Sequence, residues 1–192
     1  MASLFSRASD ALRQRPMLFA CASATAQTFT ADVLVQTTLE QRRLEQLDLR
    51  RTAAFTLFGG AWVGCGQYLL FCKLFEALIP ATTVVASVGK MALDQFVHVP
   101  FVYFPIYFSV DAWVQGAAAR GEGAAHVKRK YTGEVVDLLK ANWSIWVPAS
   151  FVGFRFVPTH WRIPYVSCVS FCWNCVFSRL QGQFRAREAA KK

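Results

Sequence analysis

Three ionisable side chains recur at intervals of four residues inside an apolar stretch, residues 84–110. They are Lys90, Asp94 and His98, and a helix places all three on one face. The amide of Gln95 follows directly after Asp94. Ionisable residues are costly inside a membrane, so those that occur there face the interior of a helix bundle or a water-filled path. This face is predicted to form a buried polar seam or to line a pore.

A second polar stripe runs along the preceding apolar stretch, residues 17–39. Its members recur at steps of three and four residues, and they are Cys21, Thr25, Thr28, Asp32 and Gln36. Two interpretations remain open: these side chains hydrogen-bond to neighbouring helices, or they line a hydrated path. We expect Lys90 and Asp94 to neutralise each other, and Asp94 to approach Asp32 and Gln36.

Motifs for catalysis or metal binding are missing from the sequence. Cys172 and Cys175 form a CxxC, with Cys168 on nearly the same helical face, but no thioredoxin-like context or fourth ligand accompanies them. The histidines are too dispersed for a metal motif, and no Gly-rich phosphate loop or nucleophile elbow is present. We therefore expect a protein that is not an enzyme and that carries no cofactor or metal.

The composition is that of a membrane protein. Hydrophobic residues make up 54% of the 192 residues and charged residues only 17%, whereas soluble domains carry about a quarter charged residues. The sequence predicts a single all-α membrane domain: a polytopic bundle of four to five membrane-embedded helices plus interfacial amphipathic helices. The predicted helices cover residues 17–39, 52–79 and 82–110, a short aromatic stretch around Trp146, and residues 165–180.

Prolines and small residues suggest where these helices are interrupted or end. Interruptions are expected near Pro80, Pro100 and Pro148, because proline removes a backbone donor. The Gly-rich stretch 115–126 is predicted to be a flexible loop.

The segments outside the predicted spans are basic or amphipathic. Residues 1–16 resemble a mitochondrial targeting helix, and the alternative, which we favour, is an interfacial helix that the mature protein retains. Residues 127–140 are predicted to lie along the membrane surface, and residues 181–192 to form a basic tail.

Two glycines spaced four apart, Gly60 and Gly64, form a GxxxG sequence in an apolar helix. This spacing lets another backbone approach closely. The sequence does not distinguish a helix of the same chain from one of a second chain.

The net charge of +9 arises from basic residues near the ends and loops of the predicted spans. That placement fits a lipid bilayer with anionic headgroups. No nucleic-acid recognition motif accompanies the charge, so nucleic acid is not an expected partner.

A series of landmarks in order along nearly the whole chain resembles the Mpv17/PMP22 family of small mitochondrial and peroxisomal membrane proteins. In the first two helices they are Pro16, Ala31-Asp32, Gln36, Asp48, Arg51-Thr52 and Gly59; further on they are Lys90, Asp94-Gln95, Pro100, Asn142-Trp143, Trp146, Phe154, Val157-Pro158, Arg162, Trp173-Asn174 and Ser178. The resemblance implies an integral membrane protein of the mitochondrial inner membrane, or alternatively of the peroxisome.

The chain also departs from the family pattern. The family's Gly-Pro in the second helix has no proline here, and Ser150 and Gly153 stand where Gln and Asn are usual. The loss of two amides favours a structural or accessory subunit of a larger membrane assembly, which binds other membrane proteins or itself. The alternative is a small-solute channel or permeability-modulating protein, with polar faces of the first and third helices lining its path.

Overall fold

The structure, a computed structural model, describes residues 15–79, 83–155 and 162–190. Five continuous helical segments, labelled α1 to α5, account for most of these residues. Their bounds are Pro16–Leu39 for α1, 49–78 for α2, 84–114 for α3, Gly123–Arg155 for α4 and Arg162–Ala189 for α5. The short 3-10 helix Leu44–Gln46 joins α1 to α2. The described ranges contain no strand, and the all-α prediction is confirmed.

The first three helices are not uniformly α-helical. Each consists of α-helical parts that continue directly into wider π-helical turns. The α-helical parts are Pro16–Leu34 in α1, Leu49–Phe58, Gln67–Leu69 and Phe75–Leu78 in α2, and Val84–Leu93 and Phe104–Val114 in α3. The π-helical parts are Val35–Leu39, Gly59–Gly66, Leu70–Leu74 and Asp94–Tyr103. Such turns are rare and occur frequently at functional sites.

The prolines interrupt the helices less than their chemistry predicts. Pro100 lies inside the π-helical part of α3, so the helix changes its winding there but does not end. Pro148 lies inside α4, which continues to Arg155. Proline at this position leaves only one helical hydrogen bond unmade, the one to the carbonyl oxygen of Ser144, and Pro148 is exposed. The Tyr165 hydroxyl of α5 donates to the neighbouring Ala149 carbonyl oxygen at 2.8 Å and so ties this part of α4 to α5. The interruption expected at Pro148 is therefore wrong, and Pro80 lies outside the described residues.

Two of the expected segment boundaries also shift. The loop predicted for residues 115–126 is shorter, because α4 already begins at Gly123. The predicted basic tail is helical as far as Ala189, because Gln181 and Phe184 are buried and hold this part of α5 in the bundle. The predicted interfacial helix, residues 1–16, lies almost entirely outside the described residues.

The five helices pack as a closed ring. Each helix contacts the next one along the chain, and α5 returns to contact α1. Short connections make neighbours antiparallel, so the loops 40–48 and 115–122 meet the C-terminal part of α5 at one end of the bundle. We call this end the charged end, because most of the buried ion pairs lie there.

Apolar side chains occupy both the interior and the exterior of the ring. Aromatic rings fill the middle of the bundle, a group that we call the aromatic core: Phe55, Phe58, Tyr103, Phe104, Tyr107, Phe108, Trp173, Phe177 and Phe184. Large apolar side chains also cover the outside, among them Phe19, Phe96 and Phe101, which are 53%, 57% and 68% exposed. Extensive exposed apolar surface fits contact with lipid rather than water.

One described helix, α1, is long and apolar enough to cross a membrane by its length and composition. The other described helices do not meet this test, so the number of spans predicted from the sequence is not confirmed. Charged residues lower the mean hydropathy of α4 and α5 in particular, because the halves of these helices near the charged end carry ion pairs.

Gly60 and Gly64 both face α1. A Cβ atom at Gly60 would lie 2.6 Å from the Thr25 hydroxyl oxygen, and one at Gly64 would lie 2.8 Å from the Ala20 carbonyl oxygen. Both distances are shorter than van der Waals contact permits. The close approach that the GxxxG spacing predicts is therefore made between two helices of the same chain.

We expect Gly64→Ala to lower the thermal stability of the purified protein, because its Cβ would push against the backbone of α1 at Cys21. Gly133→Ala is the matched control, since a Cβ at Gly133 meets nothing within 4 Å. That change should leave stability unaltered or raise it by about 0.5–1 kcal/mol through helix propensity. Thermal unfolding in detergent measures both, and equal melting of the two variants would contradict the close packing.

Candidate functional site

Asp32 is the centre of a fully buried polar cluster at the charged end. Its Oδ1 accepts hydrogen bonds from Arg51 Nε at 2.8 Å and from the Ser178 hydroxyl at 2.7 Å. Its Oδ2 accepts from Gln36 Nε2 at 2.8 Å and from the Thr52 hydroxyl at 2.7 Å. These residues, which we call the Asp32 cluster, join α1, α2 and α5. Four donors satisfy both oxygens of this buried carboxylate.

The charge of Arg51 is balanced on two sides. The Arg51 side chain has no exposed surface, and it pairs with Glu40 at 2.8 Å in addition to Asp32. Glu40 in turn pairs with Arg42 at 3.0 Å. Gly182 of α5 lies against this pair, and a Cβ there would collide with Glu40 Oε1. The Asp32 cluster and Glu40 thus hold α1, α2 and α5 together in a tightly packed arrangement.

A second set of ion pairs surrounds Arg185 of α5. Its guanidinium donates to Asp48 at 2.8 Å and to Asp111 at 2.5 Å. His126 Nε2 lies 2.9 Å from the other oxygen of Asp111. Burial would raise the pKa of Asp48, but the charge of Arg185 and the N–H of Arg51 outweigh burial and hold this pKa below its ordinary value. Asp48 therefore stays ionised at neutral pH.

The remaining predicted seam residues form a separate group on α3. Asp94 lies 2.7 Å from His98 Nδ1 and accepts a hydrogen bond from Gln95 Nε2 at 2.8 Å. Gln95 accepts from Asn142 of α4 at 2.8 Å through its side-chain oxygen. Lys90 lies one turn before Asp94 and is partly exposed.

The residues that were expected to form one polar seam, with Asp94 close to Asp32 and Gln36, therefore lie in two separate clusters. Within the described part of the chain, no hydrogen bond joins the Asp32 cluster to the group around Asp94. The helix positions explain the separation, because α1 and α3 do not pack directly against each other over these residues. Asp32 finds its partners on α2 and α5, whereas Asp94 and Gln95 face α4.

A cavity of about 420 Å³ lies inside the ring next to Asp94, and all five helices contribute to its wall. We call it the central cavity. Its polar lining includes Gln27, Gln67, Asp94, Gln95, Asn142 and Asn174. Among the described residues of its wall, Asp94 is the one carboxylate and none is Lys or Arg. The arrangement can hydrogen-bond a small polar solute and offers it one negative charge.

The aromatic core separates the central cavity from the charged end. Tyr103 and Trp173 belong to both the core and the cavity wall, and the Trp173 indole N–H lies 3.4 Å from the Tyr103 hydroxyl. Phe177 follows on α5, with its ring centroid 5.5 Å from that of Trp173 and 4.6 Å from that of Tyr107. Ser178 and the Asp32 cluster come next. The bundle is closed on this side by two layers, one aromatic and one charged.

Sequence reasoning missed several residues that the structure brings to these sites. Arg51 and Arg185 are basic residues near the ends of predicted spans, where a headgroup contact is the expected role, and Glu40 and Asp111 belong to no motif. Asn142 is a family landmark for which the sequence predicts no partner. The available signal was the order of landmarks Asp48, Arg51-Thr52 and Ser178, which marks positions on different helices that meet around Asp32.

Within the described residues, no group of three or more His, Cys, Asp or Glu side chains could hold a metal ion.

Comparison with known proteins gives a consistent result. The sequence profile of the Mpv17 / PMP22 family matches residues 117–178. Protein sym-1 of Neurospora crassa is 29% identical over 173 residues, which cover 90% of this chain and 95% of that protein. The mitochondrial inner membrane protein Mpv17 of Mus musculus is 31% identical over 156 residues, 80% of this chain and 83% of its own length.

The Rattus norvegicus protein of the same name is 31% identical over 150 residues, 77% of this chain and 80% of that protein. No solved structure matches the chain. The similarity to the mouse and rat proteins extends over most of both sequences. The chain therefore belongs to the Mpv17/PMP22 family and is a protein of the mitochondrial inner membrane.

Proposed function

We propose that this protein is a non-enzymatic membrane protein that provides a gated pathway for small polar solutes, with all five helices embedded in the membrane. The central cavity is the observation that carries the proposal. A bundle that served only as a scaffold would gain stability from a filled interior, because empty space in a core costs packing energy. Here a space of about 420 Å³ is lined by amides and a carboxylate.

The lining indicates which solutes the cavity accepts. Amide groups donate and accept hydrogen bonds, so they suit uncharged polar solutes. Asp94 adds one negative charge in a region of low dielectric constant, where charge acts strongly. None of the described residues in the wall carries a positive side chain. The cavity therefore favours neutral and cationic solutes over anions.

The closed side of the bundle serves as the gate in this proposal. Passage from the central cavity to the charged end requires displacement of the ring of Phe177 and of the ion pairs around Asp32. Both layers are continuous packed arrangements, so the resting state is closed. The π-helical turns next to the cavity, Asp94–Tyr103 and Gly59–Gly66, are the segments where a change of winding would move the wall.

Exposed apolar residues support five embedded helices. Besides α1, each helix carries such residues away from the charged end: Leu69 on α2, Phe96 on α3, Val147 on α4 and Val166 on α5, all more than a third exposed. Exposed basic residues such as Arg43, Arg50 and Arg129 lie at the charged end, where anionic headgroups would attract them. This arrangement supports a position of the charged end in the headgroup region of one leaflet.

The direct test is flux through the purified protein in liposomes. Asp94→Asn removes the negative charge that the described wall of the central cavity carries and keeps the size of the cavity. The ratio of cation to anion permeability should therefore fall roughly severalfold. Asp137→Asn is the matched control, because Asp137 is exposed on α4 and should leave the ratio unchanged. No flux from the parent protein, or equal selectivity of all three proteins, would contradict the pathway.

The second candidate is the structural or accessory subunit of a larger assembly. Ser150 and Gly153, which replace the family's amides, favour it. The glycines that could have bound a neighbouring chain are occupied by α1, and most aromatic residues near Pro105 lie in the aromatic core. Native electrophoresis with mass spectrometry distinguishes the candidates. Stable migration with many other proteins favours the subunit, and a small homo-oligomer favours the pathway.

A further inference from the structure

A polar cleft of about 410 Å³ lies at the charged end, apart from the central cavity. The loop 115–122 forms one side and the first two turns of α4 form the other. It is lined by Ala117, Arg120, Glu122, Ala125, His126 and Arg129. We call it the basic cleft, because two guanidinium groups and one imidazole face it against a single carboxylate.

The backbone places these groups with little freedom. Gly116 and Gly121 have φ angles of +73° and +75°, which glycine adopts readily and other residues rarely do. These two turns bring Arg120 back towards the start of α4. His126 is held through its Nε2 by Asp111 at 2.9 Å, so its Nδ1 is directed towards Arg129 NH2 at 3.4 Å. The cleft is thus built before any ligand arrives.

The two arginines of the cleft are only loosely engaged. Arg120 lies 3.4 Å from both Glu122 and the Gln115 carbonyl oxygen, and Arg129 lies 3.8 Å from Glu188. Strong charge-assisted hydrogen bonds are about 2.7–2.9 Å long, as those of Arg51 and Arg185 are. The side chains of Arg120 and Arg129 are also 59% and 64% exposed. Their donors are available to a ligand from solution or from the membrane surface.

We propose that the basic cleft binds a phosphate group. Planar guanidinium groups match phosphate oxygens with paired hydrogen bonds, and two of them supply the charge that a phosphate requires. Glu122 opposes binding, and its long contact with Arg120 lets it turn away. Trp113, 66% exposed, ends the apolar surface of α3 just before the loop. Tryptophan is enriched at the membrane interface, so the cleft lies at the depth of phospholipid headgroups.

The test uses the full-length protein with two probes. One is inorganic phosphate added to the protein in detergent. The other is a nanodisc of phosphatidylcholine with or without phosphatidylglycerol, followed by native mass spectrometry of the retained lipid. The cleft variant is Arg120→Gln with Arg129→Gln. Its matched control is Arg43→Gln with Arg50→Gln, which removes two exposed charges at the same end but outside the cleft.

The cleft variant should bind phosphate at least about tenfold more weakly than the parent, as expected for lost charge-assisted hydrogen bonds. The control pair should change affinity little, and both pairs should melt like the parent because the replaced side chains are exposed. Loss of phosphate binding together with loss of phosphatidylglycerol retention identifies the ligand as a lipid headgroup. Loss of phosphate binding alone identifies a soluble phosphate compound.

A third pair of variants tests the role of the opposing carboxylate. Glu122→Gln should tighten phosphate binding, whereas Glu45→Gln, at an exposed position of the other loop at this end, should not. Equal losses in the cleft and control arginine pairs would mean that diffuse charge, and not a site, attracts the anion. That result, or no binding of either probe by the parent, would overturn the proposal. Because none of these measurements uses flux, they are independent of the proposed pathway.

Discussion

Asp32→Ala is expected to lower the free energy of unfolding by about 3–5 kcal/mol, the cost of removing one partner from a buried ion pair. Arg51 has no exposed surface, so its guanidinium cannot recover hydration when Asp32 is lost. The donors of Thr52 and Ser178 lose their acceptor at the same time. Denaturant unfolding in detergent measures the change, and Asp137→Ala, at an exposed position of α4, should have little effect.

The double variant separates the charge from the packing. Asp32→Ala with Arg51→Ala should cost less than the sum of the two single variants, because no orphan charge remains between these two positions. Additive losses would mean that the two side chains do not interact and that the geometry of the Asp32 cluster is wrong.

The second large effect is expected at Phe177 in the aromatic core. Its ring lies 4.6–6.3 Å, centroid to centroid, from the rings of Phe55, Tyr103, Phe104, Tyr107 and Trp173. Phe177→Ala leaves a cavity among all of them and should lower the free energy of unfolding by about 3–5 kcal/mol. Val176→Ala, at the exposed neighbouring position, should lower it much less.

The ring of Phe177 also has a role in the proposed pathway. Phe177→Leu keeps most of the buried volume and should fold, but it thins the layer between the central cavity and the charged end. We expect faster leakage of small solutes from liposomes with this variant than with the parent. Unchanged leakage from a folded Phe177→Leu protein would show that this layer does not limit passage.

Several features followed directly from sequence patterns, and they share one property: they depend on residues close together in the chain. The first three helices follow from the length of their apolar stretches alone. The position of Gly60 and Gly64 against a helix follows from small size at a spacing of four. Periodicity records which residues share a face, and these predictions require nothing more.

Contacts between side chains on different helices could not be predicted from such local patterns. Asp32 and Asp94 carry the same chemistry, and nothing in either helix reveals that one meets Arg51 and Ser178. Nor does it reveal that the group around the other reaches Asn142 of α4. Arg51 follows a connector with several other basic residues, so its charge looked like one more headgroup contact. Helix neighbours depend on the order of the ring, and a single sequence contains no direct record of that order.

The closed ring also governs how the protein can be assembled. Asp32 and Arg51 are 19 residues apart, but the hydrogen bond from Ser178 to Asp32 spans 146 residues. Arg185, which pairs with Asp48 and Asp111, also arrives with the last helix. A chain that lacks α5 is therefore an open arc in which Asp32 loses the Ser178 hydroxyl and Asp48 and Asp111 lose Arg185. Truncation near the C-terminus thus produces a substrate for membrane quality control and degradation, and not a smaller working protein.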